Sequence, residues 1–221
     1  MDVVTLARQA LLFAHVIAFA IAMAEVLRGD LKLLRERQID LVSLARTARL
    51  VSYALLALWI TGGALVWIET GFDPATILSK PKLVTKLIVV AALSANGGLL
   101  HSAAFPMLEH GRAAPMRTTV LCSLLGAVST VSWFYAAFLG VGRIIAPAMT
   151  LSTFLELYAV LLVGGLTVAG LVVAPIVARR IVPAESAPMP AAEPLVLMPD
   201  EAKWRQDADV ADVVPALRRS A

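Results

Sequence analysis

Five long stretches of the sequence contain no Asp, Glu, Lys or Arg, and they constrain the fold more than any other feature. They run over 9–24, 50–68, 87–108, 118–142 and 157–178, with lengths of 16, 19, 22, 25 and 22 residues. An α-helix needs roughly 20 apolar residues to cross a bilayer at about 1.5 Å per residue. The first stretch reaches this length if Arg8 and Glu25 lie at its ends. The sequence therefore predicts five transmembrane helices.

The class of fold follows from how the apolar residues are distributed. Hydrophobic residues make up 59% of the chain and charged residues 16%, and the apolar residues fill whole windows instead of alternating with charges as in a soluble domain. Strands of a membrane barrel would be shorter and would alternate. We predict an all-α polytopic membrane helix bundle over residues 1–182, with spans at about 8–28, 50–69, 86–108, 118–142 and 154–178.

The remaining residues, 183–221, have a different composition. Prolines interrupt a stretch of Ala, Glu and Ser at Pro183, Pro188, Pro190, Pro194 and Pro199. Such a segment cannot bury enough apolar surface to offset the entropy lost on ordering. We predict a disordered cytoplasmic tail over residues 183–221.

The basic residues predict the orientation, because loops rich in Lys and Arg are retained in the cytoplasm. Ten lie on one side of the five spans: Arg28, Lys32, Arg35, Arg37, Arg46, Arg49, Arg112, Arg117, Arg179 and Arg180. Five lie on the other: Arg8, Lys80, Lys82, Lys86 and Arg143. This pattern predicts a multi-pass protein of a bacterial-type inner membrane, with its amino terminus outside and its carboxyl terminus in the cytoplasm.

The sequence gives little support for a cleaved signal peptide, for nucleic-acid binding or for cysteine chemistry. Ala22, Met23 and Ala24 resemble a signal-peptidase site, but cleavage there would leave the most basic loop outside. The basic residues flank membrane spans and are not interleaved with aromatics, which favours contact with anionic lipid and gives no support for nucleic-acid binding. The single cysteine, Cys122, lies in a span, which excludes an internal disulfide and a multi-cysteine metal site.

Polar residues within the spans are the candidates for chemistry, because such residues are costly in lipid. They are His15, Glu25, Lys86, Asn96, His101 and Glu156. Each also has a structural interpretation. Lys86 and Glu156 can be interface anchors, Glu25 can pair with Arg28, and either histidine can be a hydrogen-bonded packing residue.

Helix periodicity places both histidines towards neighbouring helices. His15 lies beside Ala18 and Ala22, and His101 lies beside a row of small residues that includes Gly98. Counting from the centres of their spans, the histidines differ in depth by about 10 Å, at about 1.5 Å per residue. This offset disfavours ligation of one haem by both. Glu25 and His101 have similar depths, so we predict that they interact.

A family resemblance gives these residues a specific interpretation. The segment "LLFAHVIAFAIAMAEVL", with an inward histidine, and the segment "SKPKLVTKLIVVAALSANGGLLH" resemble the small membrane protoporphyrinogen oxidases of the HemJ type and their CopD-like relatives. The resemblance covers roughly residues 3–110. It implies binding of b-type haem and oxidoreductase activity on a porphyrinogen. It implies His15 as the ligand of the haem iron, with Lys86 and His101 near the porphyrin.

The sequence therefore yields two functional hypotheses. In the first, the protein binds haem b, with His15 and His101 as cofactor-binding candidates, and Lys86, His101 and Glu25 as catalytic candidates. His15 is then the axial ligand, opposite Lys86 or a water, and His101 serves the substrate or a proton path. The partner would be a membrane redox protein or a second copy of the chain. In the second hypothesis, the protein is a non-enzymatic carrier or an assembly partner in a membrane complex, and the same polar residues hold helices together.

Overall fold

The regular structure of the described residues is helical. The computed structural model describes residues 2–35, 41–104, 106–107, 115–142 and 146–181. Its α-helices are α1 (Val3–Arg35), α2 (Leu41–Thr70), α3 (Pro74–Leu78), α4 (Pro81–Leu99), α5 (Pro115–Val141), α6 (Leu151–Val168) and α7 (Ala174–Ile181). A first π-helical segment, Leu100–Ala104, continues α4, and a second, Ala169–Val173, joins α6 to α7.

Five helical stretches in the described residues are long and apolar enough to cross a membrane. They are Val3–Lys32, Val42–Thr70, Pro81–Ala104, Arg117–Val141 and Leu151–Arg179. The prediction of an all-helical fold with five helices long and apolar enough to span a membrane is thereby confirmed for the described residues. The orientation in the membrane stays a prediction. The predicted tail, residues 183–221, lies outside the described residues.

The connection between α2 and α4 is a tight turn followed by the short helix α3. Gly71 and Phe72 adopt left-handed backbone conformations with φ of 59° and 61°. Asp73 then caps α3, because its carboxylate accepts hydrogen bonds from the backbone N–H and the hydroxyl of Thr76 at 2.8 and 2.6 Å. These hydrogen bonds hold the pKa of the exposed Asp73 carboxyl below its usual value. Pro74 follows at the first helical position, where no N–H is needed.

The buried core lies where α5 packs against α6 and α1. Trp133, Tyr135 and Phe154 are each only 1% exposed. The hydroxyl of Tyr135 donates to the carbonyl of Phe154 at 2.5 Å, which joins α5 to the first turn of α6. The ring of Phe19 on α1 packs against Trp133 with its centroid 5.5 Å away. The described core is therefore held by aromatic packing and a few hydrogen bonds between helices.

The contact between α5 and α6 depends on the absence of a side chain at Gly165. A Cβ added at this position would lie 2.5 Å from Cγ2 of Val131, whereas a Cβ at the neighbouring Gly164 would have no atom within 4 Å. We expect Gly165→Ala to lower the free energy of unfolding in detergent by about 1–3 kcal/mol, because the two helices must separate. The matched variant Gly164→Ala should leave stability unchanged or raise it by up to about 1 kcal/mol through helix propensity. Equal stabilities of the two variants would contradict this packing.

Candidate functional site

His15 is hydrogen-bonded between α1 and α2 in a way that defines its protonation. Its Nδ1 lies 2.8 Å from Oγ1 of Thr61. The hydroxyl of Thr61 also donates to the carbonyl oxygen of Ala57, one turn earlier on α2, at 2.7 Å. A hydroxyl has a single proton to donate, so Thr61 must accept from His15. The proton of the neutral ring is therefore on Nδ1, and Nε2 keeps a lone pair.

The hydroxyl of Ser94 has the same geometry as that of Thr61, and its partner on the neighbouring helix, Trp59, can only donate a hydrogen bond. Nε1 of Trp59 on α2 donates to Oγ of Ser94 on α4 at 2.9 Å, and Ser94 donates to the carbonyl of Val90 at 2.8 Å. Indole nitrogen cannot accept a hydrogen bond, so the direction of this chain is unambiguous. It supports the assignment of Nδ1 of His15 as a donor.

Gly62 gives the imidazole room on α2. A Cβ at position 62 would lie 3.3 Å from Cε1 of His15, closer than an ordinary van der Waals contact. At the next position, Gly63, an added Cβ would meet nothing within 4 Å. The ring of His15 is therefore fixed on one side by a glycine and at Nδ1 by a hydroxyl. The remaining ring nitrogen, Nε2, is the one chemically able to bind a metal.

The structure groups His15 with Lys86. Lys86, on the second turn of α4, is close enough to His15 and to Glu69 to interact electrostatically with both. Glu69 accepts a hydrogen bond from Lys80 at 2.8 Å, so one end of α2 and α4 carries a cluster of paired charges. Lys86 is thus part of this charge cluster and also a neighbour of His15. It can therefore be an interface anchor and a residue of the site at the same time.

His101 lies at a different level of the bundle. It is exposed on the first π-helical segment, and its Nδ1 donates to the carbonyl of Gly97 at 2.9 Å. It follows Lys86 by fifteen positions on one continuous helical stretch. At about 1.5 Å per residue this places it about 22 Å further along the helix. The structure therefore does not bring His101 to the group formed by His15 and Lys86.

The other candidates occupy separate places. Glu25 forms an ion pair with Nη1 of Arg28 at 2.6 Å, and its side chain is only 13% exposed. This is the local pairing that the sequence left open, and the predicted interaction of Glu25 with His101 stays a prediction. Asn96 is buried, and its amide donates to the carbonyl of Leu125 at 3.0 Å, which ties α4 to α5. Glu156 is exposed on the second turn of α6.

Two polar groups were missed by the sequence reasoning, Thr61 and Asp30. Thr61 could have been found from the hairpin of α1 and α2, because residues equally distant from the centre of a short connection pair across two antiparallel helices. His15 and Thr61 are each 23 positions from position 38. The sequence gives no signal for Asp30, because the charged residues that flank the first span predict its end at about residue 28, before Asp30.

A single histidine could hold a haem, whereas a bare metal ion needs several protein ligands. Within the described ranges, no group of three or more His, Cys, Asp and Glu side chains is placed to hold a metal. A haem needs only an axial ligand from the protein, because the porphyrin supplies the equatorial ligands. A neutral imidazole that donates through Nδ1 and presents Nε2 is the usual form of such a ligand. No protein-family model, curated protein or solved structure matches this chain.

Proposed function

We propose that the protein binds b-type haem through Nε2 of His15 and has a redox role in porphyrin metabolism, in a bacterial inner membrane. The observation that supports this most is the hydrogen-bond chain from His15 through Thr61 to Ala57. In the neutral ring it places the proton on Nδ1 and leaves the lone pair on Nε2.

Three residues of the site have distinct roles in this proposal. His15 would hold the iron, Thr61 would orient the imidazole and keep the Nδ1 proton, and Lys86 would lie near the porphyrin. When bound, the haem supplies one-electron transfer. The resemblance to the protoporphyrinogen oxidases adds a porphyrinogen as the electron donor. His101, about 22 Å along the helix from Lys86 at about 1.5 Å per residue, would then serve a proton path.

The absorption spectrum of the purified full-length protein tests the proposal. The protein is prepared in detergent from haem-replete cells, and spectra are recorded oxidised and after reduction with dithionite. We expect the Soret and α bands of a b-type haem, with a shift on reduction. A colourless preparation would remove the redox proposal.

A second candidate function, assembly with other membrane helices, is favoured by the exposed polar residues. His101 and Glu156 lie on exposed faces of stretches apolar enough to span the membrane. Ionisable groups are costly against lipid and are better accommodated against a partner helix. In this candidate, His15 and Thr61 only join α1 to α2. A colourless protein would leave this candidate standing.

The proposed orientation has its own prediction. Ten basic residues lie on one side of the five spans and five on the other. Reporter fusions after Glu36 and after Arg180 should therefore report the cytoplasm. A fusion after Asp73 should report the outside. The mass of the intact chain should include residues 1–24, since the basic loop after α1 opposes cleavage of a signal peptide. A cytoplasmic signal from the Asp73 fusion would reverse the topology, and a shortened chain would leave four spans.

A further inference from the structure

The charge cluster at one end of α2 and α4 also includes a residue of α1. Glu69 forms an ion pair with Lys80 at 2.8 Å. Lys86 on α4 and Arg8 on α1 are both close enough to Glu69 to interact with it electrostatically. Three positive charges thus surround one negative charge. The four side chains together are positively charged, which suits an anionic ligand.

Arg8 lies on the same face of α1 as His15. The two residues are seven positions apart. At 3.6 residues per turn, this is about 20° short of two full turns and about 10 Å along the helix. Arg8 and Glu69 are 30 and 31 positions from position 38, so they pair in the same register as His15 and Thr61. The charge cluster therefore lies about two helical turns from the ring of His15, on the same side of α1.

The charge cluster lies where apolar spans begin and end. Glu69 is one position before the end of the second span, and Lys80 is one position before the start of the third. Arg8 and Lys86 are exposed. A ligand bound here can therefore place an apolar part against the spans and its ionised groups at their ends, where charge is less costly than in hydrocarbon. This arrangement suits an amphiphilic anion.

We infer that the charge cluster binds the two carboxylates of a porphyrin, through Arg8 and Lys86. The identity of this ligand rests on the proposed function. Haem b and protoporphyrin carry both propionate side chains at one edge of the macrocycle, and the molecule is wide enough to reach from His15 to the charge cluster. A guanidinium binds a carboxylate with two parallel hydrogen bonds, and an ammonium binds it as a point charge. The vinyl edge of the porphyrin then lies towards the middle of the bundle.

Fluorescence titration of the full-length protein in detergent with iron-free protoporphyrin tests this site. Protoporphyrin dimethyl ester is the matched ligand, because it has the same macrocycle without ionised carboxylates. The readout is the ratio of the two affinities, since partition of each ligand into micelles contributes the same factor in every variant. We expect this ratio to fall by about tenfold in Arg8→Gln and again in Lys86→Gln, the size of one lost hydrogen bond to a charged group.

Arg49→Gln is the matched control. Arg49 is exposed on α2, twenty positions before Glu69, which at about 1.5 Å per residue is about 30 Å along the helix. We expect this variant to keep the wild-type ratio. An equal ratio in the wild-type protein and in the double variant of Arg8 and Lys86 would show that the carboxylates bind elsewhere and would overturn the proposal. Absence of any protoporphyrin binding would also overturn it.

His15→Ala separates this inference from the proposed function. Iron-free protoporphyrin needs no axial ligand, so this variant should keep the wild-type ratio while it loses the haem bands. A ratio that depends on Arg8 and Lys86 in a wild-type protein without haem bands would support the carboxylate site and refute ligation of the iron. Haem bands together with a ratio that does not depend on Arg8 and Lys86 would support the role of His15 and overturn the carboxylate site.

Discussion

Replacing His15 with Ala is expected to abolish the reduced-minus-oxidised haem bands of the purified protein. The reason is that Nε2 of His15 is the proposed protein ligand of the iron, and the alanine offers no atom to replace it. His101→Ala should keep the bands, because His101 lies about 22 Å along the helix from Lys86, at about 1.5 Å per residue. The measurement is the difference spectrum per mole of folded protein.

Variants of Thr61 separate ligation from simple packing. Thr61→Val removes the acceptor of the Nδ1 proton with little change in volume, and we expect haem affinity to fall by about 10- to 100-fold. Thr61→Ser keeps the hydroxyl and should retain haem as the wild-type protein does. Loss of the bands in both His15→Ala and His101→Ala would mean that both histidines contact one haem. Retention of the bands in His15→Ala would refute the assignment of the ligand.

Replacing Trp133 with Ala is expected to cause a large loss of stability. Trp133 is 1% exposed, and its ring packs against Phe19 of α1. Its removal leaves a cavity that the surrounding helices can close only in part, so we expect the free energy of unfolding in detergent to fall by about 3 kcal/mol. Helix association in lipid depends strongly on such close packing, which makes the cavity costly.

Trp67 provides the matched control for this prediction. It is 59% exposed and lies near the end of α2, so Trp67→Ala removes the same side chain without opening a buried cavity. We expect a much smaller loss of stability. Equal losses in the two variants would show that Trp133 does not pack as described.

The spans were predictable because a bilayer imposes a length and an apolarity on each crossing helix. The inward face of α1 was also partly predictable, because Ala18 and Ala22 lie on the small-residue row that the sequence indicated, and both are buried. The local pairing of Glu25 with Arg28 was available from their spacing in one helical turn. These features depend on contacts within one helix or on the apolar surface that lipid requires, and a single sequence shows both.

The hydrogen bonds between helices were not predictable from local sequence. Thr61 becomes part of the site only because α1 and α2 pair in one register, which places it against His15. Asp30 accepts a hydrogen bond from Thr130 on α5, which lies 100 positions away from it in the sequence. The first charges predict the end of the span, whereas α1 continues to Arg35 and Asp30 on it is partly buried. Such partners are set by tertiary packing, which neither charge counts nor apolar blocks record.

The second π-helical segment, Ala169–Val173, changes the phase of the last helix. Phe154 and Tyr158 are buried four positions apart, but Ala169 and Ala174 are buried five positions apart, and Val177 follows three positions later. An uninterrupted α-helix repeats its face at three or four residues, so the segment contains one additional residue that brings Ala174 and Val177 back to the protein interior. A related chain with a regular α-helix here should therefore align with a gap of one residue between 169 and 173, and not with a substitution.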